Sequence, residues 1–262
     1  MKLYFAGTEG VVTEYNNDLG IDRYLISLAN FKTPEFKRWC QVAGFTLNNS
    51  KANKKGKELF LDCGAFSIRS GNSKLTFYDY IDFVQRYGKT FDHIASFDVI
   101  PDAEKTYNNY KDMLSLGLDD VIPTYHYPES VDWFDKYCKM TDYVAIGGVA
   151  GLSFRNPTLT YNFIQKLLQR KPPNVKIHLF GITANPVLKK FGSQIESVDS
   201  TAWLGYSRFT TIVNRQVKAM ATFRQINGRR HTKQEIHKIQ EYNIRRYQEL
   251  ENDINSAYNV II

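Results

Sequence analysis

Three aspartates in this chain stand where an apolar run stops and small or aromatic residues take over. They are Asp62 in "ELFLDCGAF", Asp98 in "HIASFDVIPD" and Asp199 in "ESVDSTAW". An ionised carboxylate is costly to bury without partners, so packing does not explain three of them. One alone could cap a turn. Three at equivalent positions suit chemistry at an anomeric carbon, where one carboxylate attacks, one moves a proton and one hydrogen-bonds the leaving group. Phe66 follows Asp62 closely, and other apolar runs end in Phe180 and in the pair Gly147-Gly148. Flat rings can sandwich a base, and glycines allow backbone N–H groups to approach a ligand closely. His126 and His178 also end apolar runs, as candidate bases or ligand-facing groups. Cys63 follows Asp62 directly, so its side chain is expected on the opposite side of the strand and it is not assigned as a nucleophile.

Positioning these residues requires a repeated element. The apolar runs fall at 3–6, 24–28, 58–62, 93–98, 120–125, 143–147, 176–181 and 196–200, each followed by a turn. Amphipathic stretches separate most of them. Thr76 with Asp79 forms a capping-box pattern on a helix closed by Gly88, and Asp102 caps a helix that ends at Gly117. "PESVDWFDKYCKM" and "NPTLTYNFIQKLLQ" carry helical spacing, whereas the first connection, 7–23, does not. Eight such units predict an α/β chain folded as a (β/α)8 TIM barrel over 1–225. In such barrels the strand ends form the active-site rim, which places all three aspartates together. Helices are expected at 207–225 and 232–257, the second belonging to a C-terminal helical extension over 226–262. The basic loop 48–57 precedes a strand and so belongs on the opposite face.

Charge is unevenly distributed. The chain carries a net +7, yet the span 208–246 alone holds ten basic residues against two acidic ones, leaving the rest slightly negative. Aromatic and amide residues interleave with these charges, which points to a polyanion partner. Arg208, Arg215, Arg229 and Arg230 are the candidate nucleic-acid contacts. Three widely spaced cysteines suit reduced thiols in a cytoplasm rather than a disulfide framework. No Cys-x-x-Cys pair occurs and no run is long enough to span a membrane, so neither a structural zinc nor a membrane association is expected.

As a set, these motifs resemble the tRNA-guanine transglycosylase superfamily, which exchanges guanine for a 7-deazaguanine within a nucleic acid. "DCGAF" is similar to that family's Asp-Ser-Gly-Gly-aromatic motif and "SFDVIPD" to its Phe-Asp-Glu segment. "IGGVAG" is similar to its Gly-Gly loop, "HLFG" to its Leu-Met-Gly turn and "SVDSTAW" to the strand bearing its nucleophile. The resemblance covers residues 58 to about 204 in the family's order. It implies Asp199 as the nucleophile at C1′ and Asp62 as the general acid/base. It further implies Asp98, Gly147 and Gly148 as base-binding residues, with Phe66 and Phe180 stacking on the base; His126 joins them as a substrate-binding candidate on its own position at a strand end. No cofactor is implied.

This chain lacks the family's zinc subdomain, has "TYHY" where a glutamine is expected after strand five, and has one aspartate rather than two in strand eight. Together with the basic tail, these departures resemble the shorter phage- and bacterium-encoded 7-deazaguanine DNA transglycosylases. They imply DNA as substrate, a free 7-deazaguanine base as second substrate, and a bacterial or phage-infected cytoplasm. tRNA is the alternative substrate. More distant alternatives are a barrel glycoside hydrolase and an inactive nucleic-acid-binding barrel. The first has few tryptophans (Trp39, Trp133, Trp203) to line a sugar cleft. In the second, retained carboxylates would repel phosphates.

Overall fold

Parallel strands covered by helices are buried on both faces, and the alternation along each strand divides its side chains between two cores. In β1 (Lys2–Ala6), Leu3 and Phe5 enter the large core beneath the helices, while Tyr4 and Ala6 enter a smaller one inside the barrel. Leu25, Phe60, Ala95, Ile122, Tyr143 and Ala145 complete that inner core, with Phe180 packed against it. The structure, a computed structural model, describes residues 1–10, 19–47, 56–182, 185–204, 211–213, 219–222 and 232–259.

After β1 come β2 (Arg23–Ser27), β3 (Glu58–Asp62), β4 (His93–Ala95), β5 (Val121–Ile122) and β6 (Thr124–His126). β7 (Tyr143–Gly147), β8 (Lys176–Leu179) and β9 (Ser197–Ser200) follow. Hydrogen-bonded neighbours run β5-β4-β3-β2-β1-β9-β8-β7-β6, every pair parallel. β5 and β6 are halves of the fifth expected strand, interrupted at Pro123, which has no N–H to give a ladder. One half pairs with β4 and the other with β7. Ile122 O accepts from Ser96 N at 2.8 Å, and Pro123 O accepts from Ala145 N at 2.9 Å. The divided strand therefore closes the ring, and the eight strand positions of a TIM-type barrel are present.

Helices surround the sheet: α1 (Thr33–Ala43), α2 (Ala65–Arg69), α3 (Phe77–Tyr87), α4 (Ala103–Ser115) and α5 (Val131–Met140), then α6 (Ala150–Arg155), α7 (Pro157–Arg170) and α8 (Asn185–Phe191). The Thr76 capping box forms as expected, Asp79 N donating to Thr76 Oγ1 and Thr76 N to Asp79 Oδ2. Asp102 accepts from Lys105 N at 2.9 Å. Among the described residues, no helix is long and apolar enough to cross a membrane.

One expectation differs from the structure. The helix expected over 207–225 is absent from its described part, where β10 (Thr211–Val213) and β11 (Ala219–Thr222) form an antiparallel pair. The β-branched run Thr210-Thr211-Ile212-Val213 favours a pleated strand over a helix. The final helix, α9 (Lys233–Asn259), is present but shares the barrel's core. Ile244, Tyr247, Leu250 and Ile254 join the large outer core, and the Tyr247 ring meets Phe5 of β1 edge-on at 6.5 Å. Arg23 of β2 donates to both oxygens of Glu251 on α9, at 2.5 and 2.6 Å. The eight residues of the basic loop at 48–55 lie outside the described part.

Candidate active site

The C-terminal ends of β3, β4 and β9 bring the three aspartates to one mouth. Inward alternation along β3 turns Asp62 into the barrel two residues beyond Phe60. Asp98 lies three residues past the end of β4, and Asp199 is the third residue of β9. All three interact electrostatically: the charges of Asp98 and Asp199 both act on Asp62.

Their surroundings differ. Asp62 is partly buried, and its Oδ2 accepts from Gly64 N at 3.0 Å. Burial, and next the charge of Asp98, push its carboxyl up to about 7 against that hydrogen bond. Asp98 is buried and held by both oxygens. Cys63 Sγ donates to Oδ1 at 2.6 Å, and His126 Nε2 contacts Oδ2. Burial pulls His126 down, but the charge and hydrogen bond of Asp98, with Glu129 and Asp62, raise it overall. Asp199 is also buried. Its Oδ1 accepts from Gly181 N at 2.8 Å and lies 3.3 Å from His178 Nε2. Behind it, His178 Nδ1 meets Ser197 Oγ at 2.7 Å, and Ser197 Oγ meets the Tyr143 hydroxyl at 2.6 Å.

The mouth glycines have steric reasons. Gly64 adopts φ +83°, and a Cβ there would lie 2.3 Å from the Ala29 Cβ and 2.4 Å from Ser27 Oγ. Gly148 adopts φ +78°, with Tyr127 O 2.6 Å from where a Cβ would stand. Both positions exclude side chains twice over, by conformation and by space. At Gly147 a Cβ would meet the His126 ring at 2.6 Å, so this glycine seats the histidine that contacts Asp98.

The remaining expected site residues distribute as follows. Phe180 packs partly against the inner core, its ring 4.5 Å from His178 and 6.0 Å from Phe60. Phe66 sits in the first turn of α2 and is 77% exposed. His126 is buried behind Asp98, so it acts on the site through that carboxylate. Arg208, Arg215, Arg229 and Arg230 lie outside the described residues.

Sequence reasoning missed the partners of the aspartates. Cys63 was expected to face away from Asp62. It does enter the outer core, yet its thiol reaches Asp98 from there. A fourth carboxylate, Glu9, follows β1 and accepts from Ser27 N at 2.9 Å, and burial raises its pKa. No spacing signal links Glu9 to β2, because the contact crosses between strands.

One group of atoms resembles a metal site. Asp62, Cys63 and Asp98 each offer a ligand atom, all within 4.8 Å of one another. A thiol must lose its proton to bind a metal. Burial and the neighbouring carboxylates instead push the Cys63 thiol well above its usual range, and it donates to Asp98. The arrangement is that of a hydrogen-bonded cluster.

No protein-family model matches the chain, and no curated protein is significantly similar to it. The chemistry of the site must be argued from its own geometry.

Proposed function

We propose that this chain is a transglycosylase that exchanges guanine in DNA for a 7-deazaguanine base through a covalent aspartyl-sugar intermediate. The observation that carries the reading is the contrast between two carboxylates of one mouth. Asp62 is pushed up to about 7, whereas Asp199 accepts from the Gly181 N–H and faces the His178 ring at 3.3 Å.

An Asp199 oxygen attacks C1′ of the target nucleotide, and the C1′–N9 bond breaks. The departing guanine takes a proton from Asp62, which is poised to give one at neutral pH. The incoming base returns its proton to Asp62, its ring nitrogen attacks C1′, and the bond to Asp199 breaks. Protons and electron pairs balance over the two halves, and the deoxyribose keeps its configuration through two inversions. Asp98, fixed by Cys63 and His126, presents a preoriented acceptor to the N–H edge of the base. Phe180 and the exposed ring of Phe66 supply apolar surface for stacking. The basic residues between 208 and 246 supply the phosphate contacts that offset the cost of extruding a base from the duplex.

Nucleoside mass spectrometry of DNA and tRNA from cells making the protein tests this, together with exchange of labelled guanine by purified protein. A 7-deazaguanine deoxynucleoside in DNA is the expected result. Modification confined to tRNA transfers the reading to that substrate, and exchange into neither overturns it.

A further inference from the structure

The inner wall of the barrel carries a polar chain that the proposed reaction does not itself require. Tyr143 on β7, Ser197 on β9 and His178 on β8 are buried, His178 with 0% exposure. Buried polar groups are seldom kept without partners, and those of the first links are satisfied at 2.6 and 2.7 Å. The last atom is the exception. His178 Nε2 has no hydrogen-bond partner within standard geometry, and it faces Asp199 Oδ1 at 3.3 Å.

We infer that His178 is a positioning residue for Asp199: with its proton on Nε2 and Nδ1 accepting from Ser197, it closes onto Oδ1 and leaves Oδ2 to attack. The inference rests on Asp199 being the nucleophile.

The direction of the chain follows from its end groups. Ser197 Oγ is the hydrogen-bond partner of the buried Tyr143 hydroxyl among the described residues, so the phenol proton is satisfied only by donating there. Ser197 passes its own hydroxyl proton toward Nδ1. A neutral imidazole that accepts at Nδ1 must carry its proton on Nε2, the atom facing the carboxylate. Gly181 N–H already donates to the same Oδ1, at 2.8 Å. Both donors thus address one oxygen, and among the described residues Oδ2 accepts none. A carboxylate held by one oxygen is fixed in rotation, and its second oxygen keeps its lone pairs for C1′. Catalytic contacts that are long in the free enzyme commonly shorten when substrate is bound, which accommodates the 3.3 Å separation.

The test begins with wild-type, full-length protein labelled with 15N in histidine, His178 being assigned by its loss in His178→Gln. Long-range 1H–15N correlations report which ring nitrogen carries the proton, without substrate. A proton on Nε2 alone is expected, with Ser197→Ala shifting the ring toward the other tautomer. A proton on Nδ1, in a neutral or a doubly protonated ring, overturns the inference.

The rate of covalent adduct formation with DNA then separates positioning from packing. His178→Leu removes the donor and should slow the adduct by roughly 10²-fold, while His178→Gln restores an N–H near the Nε2 position and should recover to within roughly tenfold. DNA affinity should be unchanged in both. Equal loss in two variants that melt as cooperatively as wild type overturns the role. Wild-type protein with the Nε2–H ring but no base exchange on any nucleic acid overturns the transglycosylase reading alone.

Discussion

β3 carries a carboxylate at each end, and the two are treated in opposite ways. At the N-terminal end, Glu58 Oε2 accepts from Lys2 Nζ at 2.9 Å and from the Tyr4 hydroxyl at 2.7 Å, with Arg23 nearby. Burial alone would raise Glu58, but these partners outweigh it and hold its carboxyl below the usual value. Asp62, four residues on and facing the same interior, has two carboxylates for neighbours. Among the described residues no lysine or arginine pairs with the mouth aspartates, and Asp62 is raised to about 7. One end of the strand neutralises its charge and gains stability. The other leaves charge uncompensated and gains a group that titrates near neutral pH, as the proposed proton transfer requires. Barrels commonly separate stability and chemistry between their two faces, and here one strand of five residues carries both.

The sharpest way to break this contrast is at Asp199. Asp199→Asn should lower base exchange by roughly 10⁴-fold or more and abolish the covalent adduct on denaturing gels, since no other group at the mouth is placed as nucleophile. DNA binding should persist. An adduct retained by the variant would move the nucleophile to Asp62 or Asp98.

Asp62→Asn should cost roughly 10²- to 10⁴-fold in exchange, the usual range for a general acid/base. It should also change stability in a pH-dependent way. The folded carboxyl titrates near 7 rather than at 3.8, so the folded state holds an extra proton between those values. Stability therefore falls as pH rises through that window. The variant escapes this loss. Urea melts should show it more stable than wild type by up to ~4 kcal/mol at alkaline pH, with the difference vanishing in acid.

The basic tail carries a third kind of charge, which the proposed function directs at DNA. Replacing Arg229 and Arg230 together with alanine should weaken DNA binding similarly for all sequences and reduce the salt slope by about 2. Exchange at saturating DNA should hardly change. Fluorescence anisotropy across a salt series measures both quantities, and an unchanged slope would mark the tail as solvated surface.

Glu58→Gln should have the smallest effect, a loss of about 1 kcal/mol in stability with exchange per folded molecule intact. Because the folded carboxyl is lowered, its contribution is present above the ordinary glutamate value and disappears as pH falls through the folded one. Denaturant midpoints for both proteins at neutral and acid pH check the sign.

The sequence revealed the barrel because apolar runs with small strand-end residues recur at every unit, and it revealed the three aspartates because each interrupts such a run. It misled at 211–213 and 219–222, where a helix is expected from the sequence and an antiparallel pair of strands forms. The partners of the aspartates were invisible for another reason. Cys63 and Asp98 are 35 residues apart on neighbouring strands, and His126 and Asp98 are 28 apart across the divided strand, so no local spacing marks either contact. His178 and Asp199 belong to adjacent strands, yet their pairing depends on register, which periodicity does not supply.

Closing a barrel through a strand broken at Pro123 leaves a seam. On one side the backbone ladder runs from β4 to β5, and on the other from β6 to β7. Toward the mouth β4 has already ended, and the side-chain contact between Asp98 and His126 spans this line. The pair assigned above to present an acceptor to the base is therefore also a rivet. Widening the mouth along the seam requires it to part, so amide exchange around residues 96–98 and 124–127 should quicken in Asp98→Asn while the β1–β3 side stays protected. Under the proposed function, the carboxylate that reads the base would also govern mechanically how large a base the barrel admits.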